Sequence, residues 1–144
     1  MQIITKFQEI FSEASLNLYL HPYEIIVTSP NSGILEFVSD SISIDGLKKS
    51  MPNKSLFDIY NKIFHYDFEE AQKNFIESLA GYSLVCYLLQ IKDRHNGNIL
   101  INAEGYMVHI DFGFMLNMSP GGINFESAPF KLTHVREEKY FFEK

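Results

Sequence analysis

The densest run of functional side chains is Asp93-Arg94-His95-Asn96-Gly97-Asn98, and Asp111-Phe112-Gly113 follows it after a short interval. Five of the six residues in the first run carry functional groups; the sixth is glycine, which permits an unusual backbone turn. Asn98 and Asp111 offer hard oxygen ligands of the kind that suit Mg²⁺, a cation that keeps its waters and also binds phosphate oxygens. Asp93 and His95, one turn earlier, can supply a base beside such a metal. A cation that neutralises phosphates and a group that receives a hydroxyl proton are together what phosphoryl transfer needs.

For Asn98 and Asp111 to meet, the chain between them must turn back on itself. Ile99-Leu100-Ile101, then Asn102-Ala103-Glu104-Gly105, then Tyr106 to Ile110 predicts a hairpin whose two ends are those residues. Upstream, Asp67-x-x-Glu70 opens a helical run with Phe68, Ala71, Phe75, Leu79 and Tyr82 on one face. Its end, Leu84 to Leu89, is apolar all round, which predicts a helix entering the middle of a domain and stopping at Lys92-Asp93. Ser55-x-x-Asp58 has the side chains of a capping box in shortened form and opens another helix through Ile63.

Nearer the N-terminus, residues 2 to 20 carry apolar side chains at helical spacing, and Pro22 ends the segment. No N-cap residue precedes this helix, so it reads as cut rather than started. Tyr23 to Thr28, the turn Ser29-Pro30-Asn31-Ser32-Gly33, and Ile34 to Val38 predict a first hairpin. Residues 39–54 read as a polar connector with a short turn of helix, and residues 124–144 as loop with a short helix. Helices and hairpins in this order give an α+β class.

Composition removes several alternatives. The 144 residues suffice for about one domain, and 46% hydrophobic content with 13 Phe and 8 Tyr argues for a buried core. Twelve basic against eighteen acidic side chains leave a formal charge of −6, no footprint for wrapping nucleic acid. The same balance argues against tight electrostatic adhesion to anionic lipid, though a local basic spot can still touch a headgroup. A single cysteine, Cys86, excludes an internal disulfide framework and suits a reducing compartment. The apolar stretch Leu84 to Ile91 is far short of the roughly 20 residues that span a bilayer, and residues 1–6 lack the layout of a secretory signal. The reading is an intracellular chain without a membrane span.

Taken jointly, the motifs are specific. In the protein-kinase catalytic loop the catalytic Asp stands five residues before the metal-binding Asn, and Asp93 stands at the same interval before Asn98, with Asp and His exchanged around the Arg. The stretch from Gly81 through Gln90, then Asp93 to Asn98, then His109-Ile110-Asp111-Phe112-Gly113-Phe114, closely resembles the catalytic domain of the phosphatidylinositol 3-/4-kinase family, best within its type III beta 4-kinase branch. The resemblance covers about residues 1–133 and is most specific over 80–116. It implies part of a two-lobed kinase fold: residues 1–38 as the end of the N-lobe with the hinge, and residues 39–144 as the start of the C-lobe.

The resemblance also implies roles. Asp93, Arg94 and His95 match catalytic positions, with the choice of Asp93 or His95 as base left open; Asn98 and Asp111 match ligands of Mg²⁺ or Mn²⁺. Ile34 to Val38 matches the hinge, whose backbone at Glu36 and Val38 holds the adenine of ATP, and Ile110 packs under that ring. Residues 111–133 match the activation loop that selects the lipid. Lys131 is the one basic residue in that stretch, which fits a headgroup with a single phosphodiester, phosphatidylinositol itself, as substrate. A cytoplasmic enzyme, peripheral on Golgi-type membranes and recruited by protein adaptors, is what the family implies.

Two departures set up a rival expectation. The family places a phosphate-covering loop and a phosphate-binding Lys upstream of the first helix, and Lys6, on a helix, is no substitute for that strand Lys. After Leu132-Thr133 the pattern is no longer followed. The alternatives are therefore a catalytically inactive fragment acting by binding, or a 3-kinase relative. Plainer roles compete elsewhere. Asp and Asn are common turn formers. His21, His65 and His134 stand at no ligand spacing, and Lys48, Lys49 and Lys54 read as a solvated face. Cys86 reads as core with a raised pKa, and the Phe and Tyr stripe of residues 68–87 as core too. Lys131 as a lipid contact competes with a plain surface lysine.

Overall fold

In the computed structural model the described residues are 1–116, so Lys131, most of the activation-loop stretch and the expected element within 124–144 lie outside them. The chain forms α1 (Gln2–Glu13), β1 (Ile25–Ser29), β2 (Ser32–Leu35), β3 (Ser41–Ser43), α2 (Ile44–Ser50), α3 (Leu56–Ile63), α4 (Phe68–Leu88), β4 (Ile99–Asn102) and β5 (Met107–His109). Among the described residues two antiparallel sheets result, β1-β2 and β3-β4-β5, so the class is α+β as expected.

The first helix is shorter than its apolar spacing predicts. It stops at Glu13 because Ser15 turns left-handed (φ 53°), and the amides of Ser15 and Leu16 then bond back to the carbonyls of Ser12 and Phe11 at 3.0 and 2.9 Å. That is a Schellman ending without its usual glycine. The extended segment beyond it lies against α4, where Gly81 makes room: a Cβ there would stand 2.6 Å from the Tyr19 carbonyl oxygen.

The first hairpin forms in the expected place, but its second arm ends at Leu35, and Val38 lies beyond the strand. Residues 39–54 are more than a connector. Ser41–Ser43 pairs with β4, and Ser43 caps α2 by accepting the Gly46 amide at 3.0 Å. The capping box of α3 is complete: Ser55 Oγ accepts the Asp58 amide at 3.0 Å, and Asp58 Oδ2 accepts the Ser55 amide at 3.2 Å. Asp67, by contrast, makes no side-chain cap on α4, since its own backbone (φ −121°, ψ 28°) departs from the extended shape a cap needs.

Packing fixes the second hairpin on α4. Ala71, Phe75 and Met107 share a core with Ile59 and Tyr60 of α3. Ser78 Oγ accepts the Met107 amide at 2.8 Å, and Asn74 Nδ2 donates to the Glu104 carbonyl at 2.8 Å. At the tip, Gly105 (φ 86°) approaches so closely that a Cβ would stand 2.8 Å from that of Ala71. Ile4 and Phe11 of α1 pack with Tyr82, Val85 and Cys86 on the other stretch of α4. The C-terminal part of α4 is not buried all round: Val85 and Cys86 are buried, whereas Leu84, Tyr87 and Leu88 are exposed. The apolar run there is wider than the face its neighbours cover.

Candidate active site

The helix that carries the site ends abruptly. Gln90 is left-handed (φ 48°), and Gln90 and Ile91 donate back to the carbonyls of Tyr87 and Cys86 at 3.3 and 3.0 Å. This second Schellman ending releases the chain into residues 92–98, which are pinned from several sides. The Asp45 amide donates to the Asn96 carbonyl at 3.0 Å, and the Lys92 amide donates to the Phe114 carbonyl at 2.9 Å.

Asn98 then starts the ribbon. Its carbonyl accepts the Ile110 amide at 3.0 Å, and Ile99 pairs with His109, so Asn98 and Asp111 do stand at the two open ends of β4 and β5. The Asn98 side chain is buried, and its Nδ2 donates to the Asp93 carbonyl at 3.0 Å. With its amide nitrogen so committed, the oxygen is the atom this carboxamide offers a cation. Asp111 is exposed and left-handed (φ 58°), with Oδ1 accepting the Gly113 amide at 3.3 Å. An amide oxygen and a carboxylate are hard oxygen donors of the kind that would suit a divalent cation such as Mg²⁺.

Asp93 is left-handed as well (φ 60°), and its Oδ2 is 4.0 Å from His95 Nε2. His95 Nδ1 accepts the Gly97 amide at 3.1 Å. Its lone pair therefore lies on Nδ1, and in the neutral ring the proton is on Nε2, the atom facing Asp93.

Arg94, expected among the catalytic residues, is turned inward. It is only 3% exposed; Nε donates to the Lys92 carbonyl at 3.1 Å, Nη1 to that of Ile110 at 2.8 Å, and Nη2 to that of Asp111. Burial lowers its pKa, while Cys86 and the charges of Asp111 and Asp93 oppose that shift.

A cleft of about 460 Å³ opens beside Asp111, lined by Tyr23, Glu36, Phe37, Val38, Leu100 and Ile110, among others. It brings together the three residues expected at the adenine, Glu36, Val38 and Ile110, with one of the two expected metal ligands; Asp93, His95 and Asn98 are not in its wall. Two backbone groups there are already engaged. The Glu36 amide donates to the Glu24 carbonyl at 2.9 Å, and the Val38 carbonyl accepts from Ser41 Oγ at 2.7 Å. The Glu36 carbonyl and the Val38 amide are the complementary acceptor and donor of this stretch.

The sequence assigned no role at the site to Tyr23, Ser41 or His109. Tyr23 packs with Val38 and Val108 behind the cleft, and its pKa is raised chiefly by burial. His109 lies under the ribbon, stacked on Tyr82, and burial with the nearby Arg94 charge drives its pKa down to about 3. The signal that could have found it is positional: strict alternation over residues 107–110 aims His109 at α4, opposite in facing to Val108 and Ile110.

A family model described as phosphatidylinositol 3- and 4-kinase matches residues 48–135. Phosphatidylinositol 4-kinase beta 2 of Arabidopsis thaliana is 57% identical over 137 residues, covering 92% of this chain and 12% of that protein. Phosphatidylinositol 4-kinase of Dictyostelium discoideum is 57% identical over 138 residues, again 92% of this chain and 12% of the relative. Phosphatidylinositol 4-kinase beta of Sorex araneus is 46% identical over 136 residues, 92% of this chain and 17% of that protein. The chain thus spans only a small part of the length of the curated relatives it matches.

Proposed function

The chain belongs to the phosphatidylinositol 3- and 4-kinase family, and on that premise we propose that it forms the catalytic centre of a lipid kinase that transfers the γ-phosphate of ATP to the 4-hydroxyl of phosphatidylinositol. One observation carries the proposal. Asp111 lines the cleft of about 460 Å³ that also holds Glu36, Val38 and Ile110, and it stands at the end of the ribbon whose other arm carries Asn98, itself bonded to Asp93. Relatives named as 4-kinases favour this over a 3-kinase and over a binding-only fragment.

In this reading residues 1–38 belong to the upper lobe and residues 39–144 to the lower. Adenine lies between them, donating its amino group to the Glu36 carbonyl and accepting from the Val38 amide, with Ile110 beneath the ring. Asn98 Oδ1 and the Asp111 carboxylate hold a divalent cation, which when bound neutralises phosphate charge. Asp93 accepts the proton of the inositol hydroxyl. His95 is ill suited to that task, because its Nδ1 lone pair is taken by Gly97 and its Nε2 bears hydrogen. It is suited instead to donating from Nε2 to the oxygens of the phosphoryl group in transit.

No helix among the described residues is long and apolar enough to cross a membrane. In this reading the lipid is met at an intracellular membrane surface of Golgi type, with Lys131 contacting its headgroup and protein adaptors bringing the enzyme there. The test is turnover of phosphatidylinositol vesicles with Mg-ATP, alongside nucleotide affinity. Asp111→Ala is expected to remove the Mg²⁺-dependent part of ATP affinity; unchanged Mg-ATP affinity in that variant overturns the assignment.

A further inference from the structure

Resting on the metal-site reading above, we propose that Arg94 is a positioning residue whose guanidinium locks the two peptide planes that precede Asp93 and Asp111 and so fixes where both carboxylates stand. Its three acceptors are not scattered. The Lys92 carbonyl belongs to the peptide entering Asp93, the Ile110 carbonyl to the peptide entering Asp111, and the Asp111 carbonyl to the peptide leaving it.

Both aspartates hold left-handed backbones, φ 60° and 58°. Such a conformation disfavours residues with a Cβ by roughly 1–2 kcal/mol and persists only where the surroundings over-determine it. The easiest relaxation is a flip of the preceding peptide, which turns φ of the aspartate and carries the Lys92 or Ile110 carbonyl with it. A guanidinium holding both carbonyls blocks both flips at once. It also lies over the Phe112 ring, 5.6 Å from its centroid, so the residue after Asp111 is braced too.

The chemistry requires arginine. Three carbonyls must be reached from one planar fork, which an ammonium on a flexible stem does not reproduce. Taking a cation almost wholly out of water is expensive unless it is hydrogen-bonded, and here each of the three guanidinium nitrogens donates to a backbone carbonyl. At 3% exposure, with its three nitrogens donating to backbone carbonyls, the group offers little surface to a ligand and acts through Asp111.

The test compares ATP affinity with Mg²⁺ and with EDTA in Arg94→Met and Arg94→Lys, together with amide hydrogen exchange over residues 110–113. The expected result is metal-free affinity within about twofold of the parent, a Mg²⁺-dependent gain reduced by about 10- to 100-fold, as for lost supports of metal ligands, and faster exchange at Asp111 to Gly113. A direct phosphate contact would instead weaken metal-free ATP binding with exchange unchanged, and a purely structural role would lower both affinities together; either outcome overturns the proposal. Should Arg94→Met fail to fold, Arg94→Lys decides alone, since it keeps charge and loses the fork; a full Mg²⁺ gain there overturns the idea. Asp111→Asn separates the two levels. A gain retained in Asp111→Asn sinks the metal reading, whereas a gain lost there but kept in both Arg94 variants sinks only the clamp.

Discussion

Cys86 Sγ lies 3.6 Å from His109 Nδ1, yet the pair is arranged to stay uncharged. Burial pushes the thiol up to about 11, against a smaller opposing effect of Arg94, and the imidazole is pushed down to about 3. A Cys–His contact in an open, polar setting would favour thiolate and imidazolium. Beneath this ribbon it behaves as packing, with the imidazole flat on Tyr82, ring centroids 4.4 Å apart and planes 9° from parallel.

Stability should therefore depend on Cys86 at alkaline pH. A thiol whose folded pKa lies near 11, above its ordinary value of 9.0, contributes stability that is complete below pH 9 and lost as pH rises towards 11. Between pH 8 and pH 10 the parent should lose about 1 kcal/mol more than Cys86→Ala does. Urea midpoints at the two pH values measure this, and equal losses in both proteins would show that the thiol is not held neutral by the fold.

Gly105 should tolerate no side chain. Its φ of 86° is strained for any L-residue, and an added methyl would meet Ala71 at 2.8 Å. Gly105→Ala is expected to destabilise the chain by about 1–3 kcal/mol, since strain and overpacking act together. Thermal unfolding reads the loss; a melting temperature unchanged from the parent contradicts the close packing of hairpin tip on α4.

Ser78 is another tie between α4 and the ribbon. Its hydroxyl accepts the Met107 amide and donates to the carbonyl of Asn74 at 2.7 Å, all within the core. Ser78→Ala strands a buried N–H, at a cost of about 1–3 kcal/mol. Hydrogen exchange should localise the damage, with the Met107 amide exchanging faster than its β4 neighbours.

What could be read ahead of the structure was local. Ser55 and Asp58 announce their helix because both bonds of the box lie within four residues, and the turn between Ile99 and Ile110 announces its ribbon. Ser41–Ser43 gives no such signal. It is a strand only because Ile101 and Asn102, some sixty positions away, offer it a partner. Ser15 and Gln90 end their helices without glycine, so the stops at Glu13 and Leu88 rest on what the following segments pack against. Among the candidate site residues, spacing put Asn98 and Asp111 at the open ends of the ribbon, and the hairpin register has them there. Arg94 could not be assigned from its company, since an arginine in a polar run looks the same whether it faces substrate or carbonyls. The cleft likewise needs Tyr23, Val38, Leu100 and Ile110 together, a neighbourhood made by folding alone.

The proposed division of labour between Asp93 and His95 gives the most direct chemical prediction. Gly97 donates its amide to His95 Nδ1, which leaves Nε2 as a donor facing Asp93 at 4.0 Å. If Asp93 is the proton acceptor, Asp93→Asn should reduce turnover by about 10²- to 10⁴-fold, the usual contribution of a general base, while Mg-ATP affinity stays near that of the parent. His95→Gln keeps a carbonyl that can accept the Gly97 amide and an N–H that can replace the Nε2 donor, so its turnover should fall less than that of Asp93→Asn. Single-turnover phosphorylation of phosphatidylinositol vesicles measures both. A deeper loss in His95→Gln than in Asp93→Asn would mean that the imidazole takes the proton, which requires the Gly97 contact to break before each turnover.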